Sequence, residues 1–341
     1  MGYKDKKYSK DLHQQAFEKL QSMKAFGESK KEAMLHGTAQ DKIYSICTLK
    51  TYLQNAKYYV RYLKENHPEV TSLKKSRKYV TEYLKFCETK NESAWTIQTK
   101  AKSLAKLFGI RQEDSDYYTP PKRRRRDIKR SRVETVRDRH FSKTNNAELI
   151  AFCRATGCRR EGLTKLRGQD LKTRDYIETE VAKLVSIEKE RNLTPNEKGM
   201  LMIYQDALKF DKVNYFLYLK EKNGRRRVSP IIGPNTDKVV ERMRNTNPEE
   251  RVWLSVSTNA DIHGYRSDYA NAVYKQYARD IEDIPYDKYN PGTGHWFKSE
   301  VYHCRGDMRG CSYDRRAMEL TSIALGHHRV EIVASNYLRG I

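Results

Sequence analysis

Apolar residues return every three or four positions at Ile43, Ile46, Leu49, Leu53, Ala56, Val60 and Leu63. That is the spacing of one helix face, and His67-Pro68 closes the run. A shorter run, Val80, Tyr83, Leu84 and Cys87, predicts a second helix. Trp95, Ala101, Leu104, Ala105 and Phe108 predict a third, beginning near Ser93 and stopping at Gly109. Successive amphipathic helices of this kind predict an all-α bundle over about residues 36–115. Residues 1–35 are polar and Lys-rich with a weak helical pattern, the composition of a basic N-terminal arm or a frayed helix.

The pattern breaks at Tyr117-Tyr118-Thr119-Pro120-Pro121. Lys122 to Arg132 then carry eight basic residues against one Asp. Two prolines and a self-repelling charge block cannot pack, so 116–135 reads as a basic linker. Helical patterns resume at 145–157, ending at Gly157, at 160–168 and across the charge-rich stretch 173–210. Asn214 to Lys220 and Arg226 to Ile232 read as two strands joined at Asn223-Gly224, a strong hairpin signal. Helices return over 313–325 and 330–338. The fold class is therefore mainly α with a small antiparallel β-sheet in the domain 136–341 (α+β), preceded by an all-α bundle.

Composition narrows the partners. The 341 residues hold 67 Lys plus Arg against 44 Asp plus Glu, a formal charge of +23, which calls for a polyanion. Lys50, Lys57, Arg61, Lys64, Lys74, Lys75, Lys85, Lys100, Lys102 and Lys106 lie off the apolar faces of the bundle helices, where with the neighbouring Tyr hydroxyls they suit phosphate contacts, a solvated face being the alternative. No stretch approaches the roughly 18 apolar residues of a membrane span, and Met1 to Lys7 lack the apolar run of a signal peptide, so a soluble, cytoplasmic protein is expected, while charge alone leaves nucleic acid, an anionic membrane surface and the ribosome open as partners. The six cysteines show neither a CxxC pair nor zinc-finger spacing, and read as reduced thiols in or near the core.

Several small features are individually weak. Thr156-Gly157-Cys158-Arg159 closes one helix and starts another, with Leu163, Leu166 and Asp170 beyond. Lys222 sits at the hairpin tip before Arg227-Val228-Ser229-Pro230. Arg305 precedes Leu325-Gly326-His327, and Tyr337 comes after them. In this order the set resembles the tyrosine recombinase and integrase family, of the phage or mobile-element type. The resemblance covers most of the chain: the bundle is similar to that family's core-binding domain and 136–341 to its catalytic domain. Arg305 lies 32 residues before Tyr337, the separation usual in the family.

The resemblance implies a metal-independent DNA strand transferase without cofactor. Tyr337 would attack a phosphodiester in line, leaving a 3′-phosphotyrosyl link and a free 5′ hydroxyl. Arg159 and Arg305 would clamp the non-bridging oxygens, Lys222 would protonate the leaving oxygen, and His327 would bond the phosphate or assist proton transfer. Lys122, Arg123, Arg124, Arg125, Arg126 and Arg130 in the linker would follow duplex phosphates. Implied partners are double-stranded DNA with specific recombination sites, a homotetramer assembled on it, and accessory DNA-bending proteins, which implies a DNA-associated protein without a membrane partner.

Departures from the family pattern leave alternatives open. The His usually three residues before the second Arg is replaced by Tyr302, with His303 next to it as a candidate helper. The acidic residue usually three after the first Arg is Gly162, with Glu161 one place early. His327 is selected by the Leu-Gly-His motif, whereas His328 has the commoner spacing to Tyr337. The 63 residues from Arg159 to Lys222 are more than compact members have, so 173–210 is either a DNA or subunit contact or a tolerated surface insertion. Only Leu338 to Ile341 remain after Tyr337, so tetramer contacts are expected from elsewhere, unless the chain is truncated. Two rival functions share these residues: a type IB topoisomerase-like DNA-relaxing enzyme, and a DNA-binding or bridging protein with a decayed site.

Overall fold

In a computed structural model the chain is described over residues 11–124, 140–221 and 226–338. It divides into two units, Met1–Arg124 and Arg125–Ile341. Among the described residues no helix is long and apolar enough to cross a membrane.

The first unit is helical: α1 (Leu12–Ser22), α2 (Lys30–Leu35), α3 (Ile46–Asn66), α4 (Leu73–Ser76), α5 (Val80–Thr89) and α6 (Ala94–Phe108). The long helix opens later than its apolar spacing suggests, because Ser45 caps it by accepting the Thr48 amide at 3.1 Å. Ile43 is buried outside the helix, bridging to Lys24. Of the two alternatives for residues 1–35, arm or frayed helix, the described part is helical and packed. Leu12, Ala16 and Leu20, four residues apart, bury one face of α1 in the same core as Leu49, Ala56, Val60 and Leu63. Two lysines assigned to the outer faces are structural. Lys100 is buried, its ammonium 2.5 Å from Glu92, and Lys106 donates to the Lys42 carbonyl at 3.1 Å.

The second unit contains α7 (Ala147–Thr156), α8 (Arg160–Leu163), β1 (Leu171–Thr173), α9 (Arg174–Glu190), α10 (Pro195–Leu208), β2 (Tyr215–Lys220), β3 (Arg226–Pro230), α11 (Thr236–Arg244), α12 (Ile262–Tyr277), β4 (Lys288–Asn290), β5 (His295–Phe297), β6 (Val301–His303), β7 (Ser312–Asp314), α13 (Arg315–Ala324) and α14 (Val330–Asn336). The main sheet is antiparallel in the order β1-β2-β3, with Leu171 opposite Leu217 and Leu217 opposite Ser229. β4-β5 and β6-β7 form two further small antiparallel pairs. The protein is thus mainly α with small antiparallel sheets.

Strand β2 separates two cores. Its side chains alternate, so Phe216 and Tyr218 join the core of α9, α10, α12 and α13, while Leu217 and Leu219 join that of α7 and α11. Burial on both faces is why Tyr215 to Leu219 reads as one apolar run. The surplus length at 173–210 is part of the first of these cores. Ile177 and Leu184 of α9 and Leu201, Ile203, Tyr204 and Ala207 of α10 are buried there. A capping box between Thr194 and Glu197, with Pro195 at the first helical position, divides the segment into two helices. The predicted helix over 160–168 is only one turn, succeeded by a short 3-10 turn at Gly168–Asp170.

Candidate active site

The site is built from three helix ends, two adjacent strands and one helix interior. Helix α7 stops at Gly157, in the left-handed region at φ 58°. A Cβ there would overlap the Tyr269 ring, so both the turn and the close approach require glycine. The chain then extends through Arg159, the N-cap of α8, and Leu163 and Leu166 anchor the end of that helix and the loop after it in the core. Leu325-Gly326-His327 ends α13 in a Schellman turn. The Gly326 amide donates to the Ile323 carbonyl at 2.8 Å and the His327 amide to the Ser322 carbonyl at 2.9 Å. Gly326 takes φ 67°, and a Cβ on it would lie 2.8 Å from Arg227 Cδ. These two glycines bring the Arg159 and His327 side chains to the same place.

Tyr337 caps the C-terminus of α14 and is 4% exposed. Its hydroxyl lies 3.1 Å from His327 Nε2 and accepts from Arg266 Nε at 3.3 Å. Arg159 Nη2 reaches the same His327 nitrogen at 3.4 Å. Helix α12 holds the tyrosine at its other end too, since Ser267 donates to the Tyr337 carbonyl at 3.0 Å. His263, one turn before Arg266, stacks on the Tyr337 ring with centroids 5.9 Å apart.

Beneath lies a buried charge network. Glu221, at the end of β2, accepts from Arg227 Nε at 3.0 Å, pairs with Arg159, and lies 3.9 Å from Arg266 Nη1. Arg227 also donates to the Gly157 carbonyl at 3.2 Å and to that of Ala324. Arg266 donates to the carbonyls of Gly157 and Leu325, the latter at 2.5 Å. Burial, reinforced by Arg266 and Arg159, pushes His327 down to about 3, so its imidazole is neutral near pH 7. A neutral ring whose Nε2 faces an arginine N–H and a phenol is an acceptor there. Burial and the neighbouring Arg227 also lower Arg266, to about 10, which leaves it cationic.

Of the residues expected from sequence, the structure brings Arg159, His327 and Tyr337 together, while Lys222 lies outside the described residues. Arg305 is not among them. It is exposed, precedes a 3-10 turn, and among the described residues has no hydrogen bond, ion pair or ring contact with the other three. The arginine that meets the Tyr337 hydroxyl is Arg266, 71 residues before it. The β4-β5 and β6-β7 pairs occupy the interval and account for its length. His303 is exposed with Nδ1 2.8 Å from Ser312 Oγ, and the Tyr302 ring packs against Arg315. It is His327 that meets the Tyr337 hydroxyl, while His328 Nδ1 lies 3.9 Å from Asp206. Glu161 pairs with Lys165 at 2.7 Å rather than with the site.

Arg266, His263, Glu221 and the buried role of Arg227 were missed. A signal for the first two stands in the chain: His263-Gly264-Tyr265-Arg266 has the His three residues before an Arg that Arg305 lacks. Glu221 has no comparable sequence signal. In the linker, Lys122, Arg123 and Arg124 are exposed, with the Arg123 guanidinium 5.4 Å from the Trp95 ring centroid; Arg125, Arg126 and Arg130 lie outside the described residues. The cysteines carry no disulfide, and Cys87, Cys153, Cys158 and Cys304 are buried. Among the described residues no cluster of three or more His, Cys, Asp or Glu side chains could hold a metal ion. Compared with models of known protein families and with curated proteins, the chain matches none.

Proposed function

We propose that this chain is a site-specific DNA recombinase of the tyrosine recombinase type, acting through Tyr337 with Arg266 as its second arginine. The observation that carries the reading is the Tyr337 hydroxyl held between Arg266 Nε and the neutral His327 Nε2, with Arg159 on the same imidazole. Donation from a guanidinium and acceptance by an imidazole orient the hydroxyl and give its proton an acceptor as the oxygen attacks phosphorus. Arg159, whose side chain is 34% exposed, offers planar donors to non-bridging oxygens. In the step itself the Tyr337 Oη–P bond forms as the P–O5′ bond breaks. The phenol proton passes to His327, whose basicity rises once the phosphate's negative charge lies among the surrounding arginines, and Lys222 supplies the proton that the leaving 5′ oxygen takes.

DNA contact by the first unit is part of the same proposal. A groove between α3 and α6 is lined by Lys50, Thr51, Gln54, Trp95, Thr96 and Thr99, a set able to bond phosphates and base edges. The basic linker beginning at Lys122 would cross the duplex backbone, and strand exchange would take place in a tetramer on specific sites. The test is a suicide substrate, a duplex carrying the element's own junction sequence and a nick beside the cleavage point. The wild type forms a covalent protein–DNA adduct and Tyr337→Phe forms none. An adduct that persists in Tyr337→Phe refutes the nucleophile. Relaxation of plasmids lacking any such site moves the assignment to a topoisomerase, and site binding without any adduct moves it to a bridging protein.

A further inference from the structure

Three guanidinium groups converge on one carboxylate in this unit. Arg227 and Arg266 are 4% and 2% exposed, Glu221 is 7% exposed, and Arg159 alone of the four reaches the surface. Three cations this close repel one another, and a low-dielectric setting strengthens that repulsion. The two buried arginines are held from behind by the carbonyls of Gly157, Ala324 and Leu325. Partial charges on carbonyls orient a guanidinium without neutralising it. Glu221 therefore supplies the counter-charge, and its two oxygens meet different arginines: Oε1 takes Arg227 and Oε2 takes Arg159. The nearby acidic alternative, Glu161, is engaged with Lys165, and position 162 is glycine.

We infer that Glu221 is a positioning residue and the resting counter-ion of an oxyanion site that Arg159 presents at the surface of this arginine cluster, a site that accepts the phosphate of a phosphodiester. The phosphate class rests on the recombinase reading; the carboxylate's role rests on the geometry. Arg159 is the member that an incoming phosphate can reach. One edge of its guanidinium stays on Glu221 while the other, now on His327, turns to the phosphate oxygens. The phosphate then adds the negative charge that one carboxylate cannot supply to three cations. Glu221 works through the arginines and does not touch the reacting atoms.

Thermal unfolding of the full chain tests this in two buffers of equal ionic strength, one of chloride and one of inorganic phosphate. Glu221→Gln keeps the shape and removes the charge, so its midpoint in chloride falls by about 5 °C or more below wild type. Phosphate restores most of that loss, whereas the wild type gains less because Glu221 already offsets one of the three cationic charges. Adding Arg159→Ala to Glu221→Gln abolishes the gain. Glu221→Asp, which retains the charge at shorter reach, shows a smaller loss and a smaller gain, and serves as the comparison where Glu221→Gln does not fold. The inference is overturned where the glutamine variant gains no more from phosphate than wild type, or where the gain survives loss of Arg159. A wild type that forms no DNA adduct yet shows this phosphate pattern sinks the recombinase reading and leaves the oxyanion site standing. Adduct formation without the phosphate pattern does the reverse.

Discussion

Replacing Arg266 and Arg305 separately by alanine distinguishes two assignments of one role. Removing Arg266 takes the 2.5 Å donor from the Leu325 carbonyl and the 3.3 Å donor from Tyr337. The Gly157 carbonyl keeps Arg227, and Glu221 keeps Arg159 and Arg227. One buried carbonyl left bare costs about 1–3 kcal/mol, and the phenol bond about 1 kcal/mol more. The cavity left by the side chain adds to this, and relief of repulsion from Arg227 subtracts. A net loss of about 3 kcal/mol in a unit of this size lowers the midpoint by roughly 6–12 °C. Arg305 is exposed and has no partner among the described residues, so Arg305→Ala moves the midpoint by less than about 2 °C. Calorimetry following the transition of the second unit reads both. Adduct formation, measured well below either midpoint, falls at least about 100-fold in Arg266→Ala, the scale of losing one preorganised donor, and stays within about twofold in Arg305→Ala. An Arg305→Ala protein that keeps its stability but loses the adduct, beside an active Arg266→Ala, refutes the reasoning.

Single features carry other outcomes. His327, depressed to about 3, does not titrate between pH 5 and 8, so its imidazole resonances stay fixed there in NMR spectra. Between the unfolded value of about 6.5 and the folded value, only the unfolded chain binds the proton, so this group subtracts stability as pH falls from 6.5 toward 3 and contributes nothing above 6.5. His327→Gln accordingly shows a shallower acid loss of midpoint than wild type. Gly157→Ala places a Cβ against Tyr269 at a φ of 58°; a loss of about 2–4 kcal/mol in denaturant unfolding is expected, with reduced adduct formation as Arg159 shifts. Changing Lys122, Arg123 and Arg124 together to Gln flattens the slope of log affinity against log salt by about 0.9 for each phosphate no longer neutralised, with cleavage of bound DNA nearly unchanged. An unchanged slope removes the linker from the interface.

Local pattern was enough for much of this protein. Helices α3, α5 and α6, the β2-β3 pair and the mainly α composition are set by periods of 3.6 and 2, because amphipathic elements must turn one face inward whatever they pack against. Gly157 and Gly326 were legible for a related reason: a helix stop that needs positive φ leaves a glycine in the chain, and Arg159 and His327 are placed by those stops. Where the reading failed, the missing information was distance in space. Picking Arg305 by its distance from Tyr337 along the chain assumes a fixed interval, and the β4-β5 and β6-β7 pairs lie between Arg266 and Tyr337, so chain distance does not report which arginine is near. Only packing α12 against α13 and α14 shows which arginine meets the phenol. The sparse apolar residues of α1 become a helix face only once α3 covers them. Glu221 was least accessible, since a carboxylate becomes a counter-ion only when the fold buries it with cations drawn from positions 159, 227 and 266, and sequence neighbours say nothing of that convergence. The excess of basic residues was evident from composition alone; tertiary structure divided its members into those that hold a helix bundle, those that surround a tyrosine, and those left facing solvent.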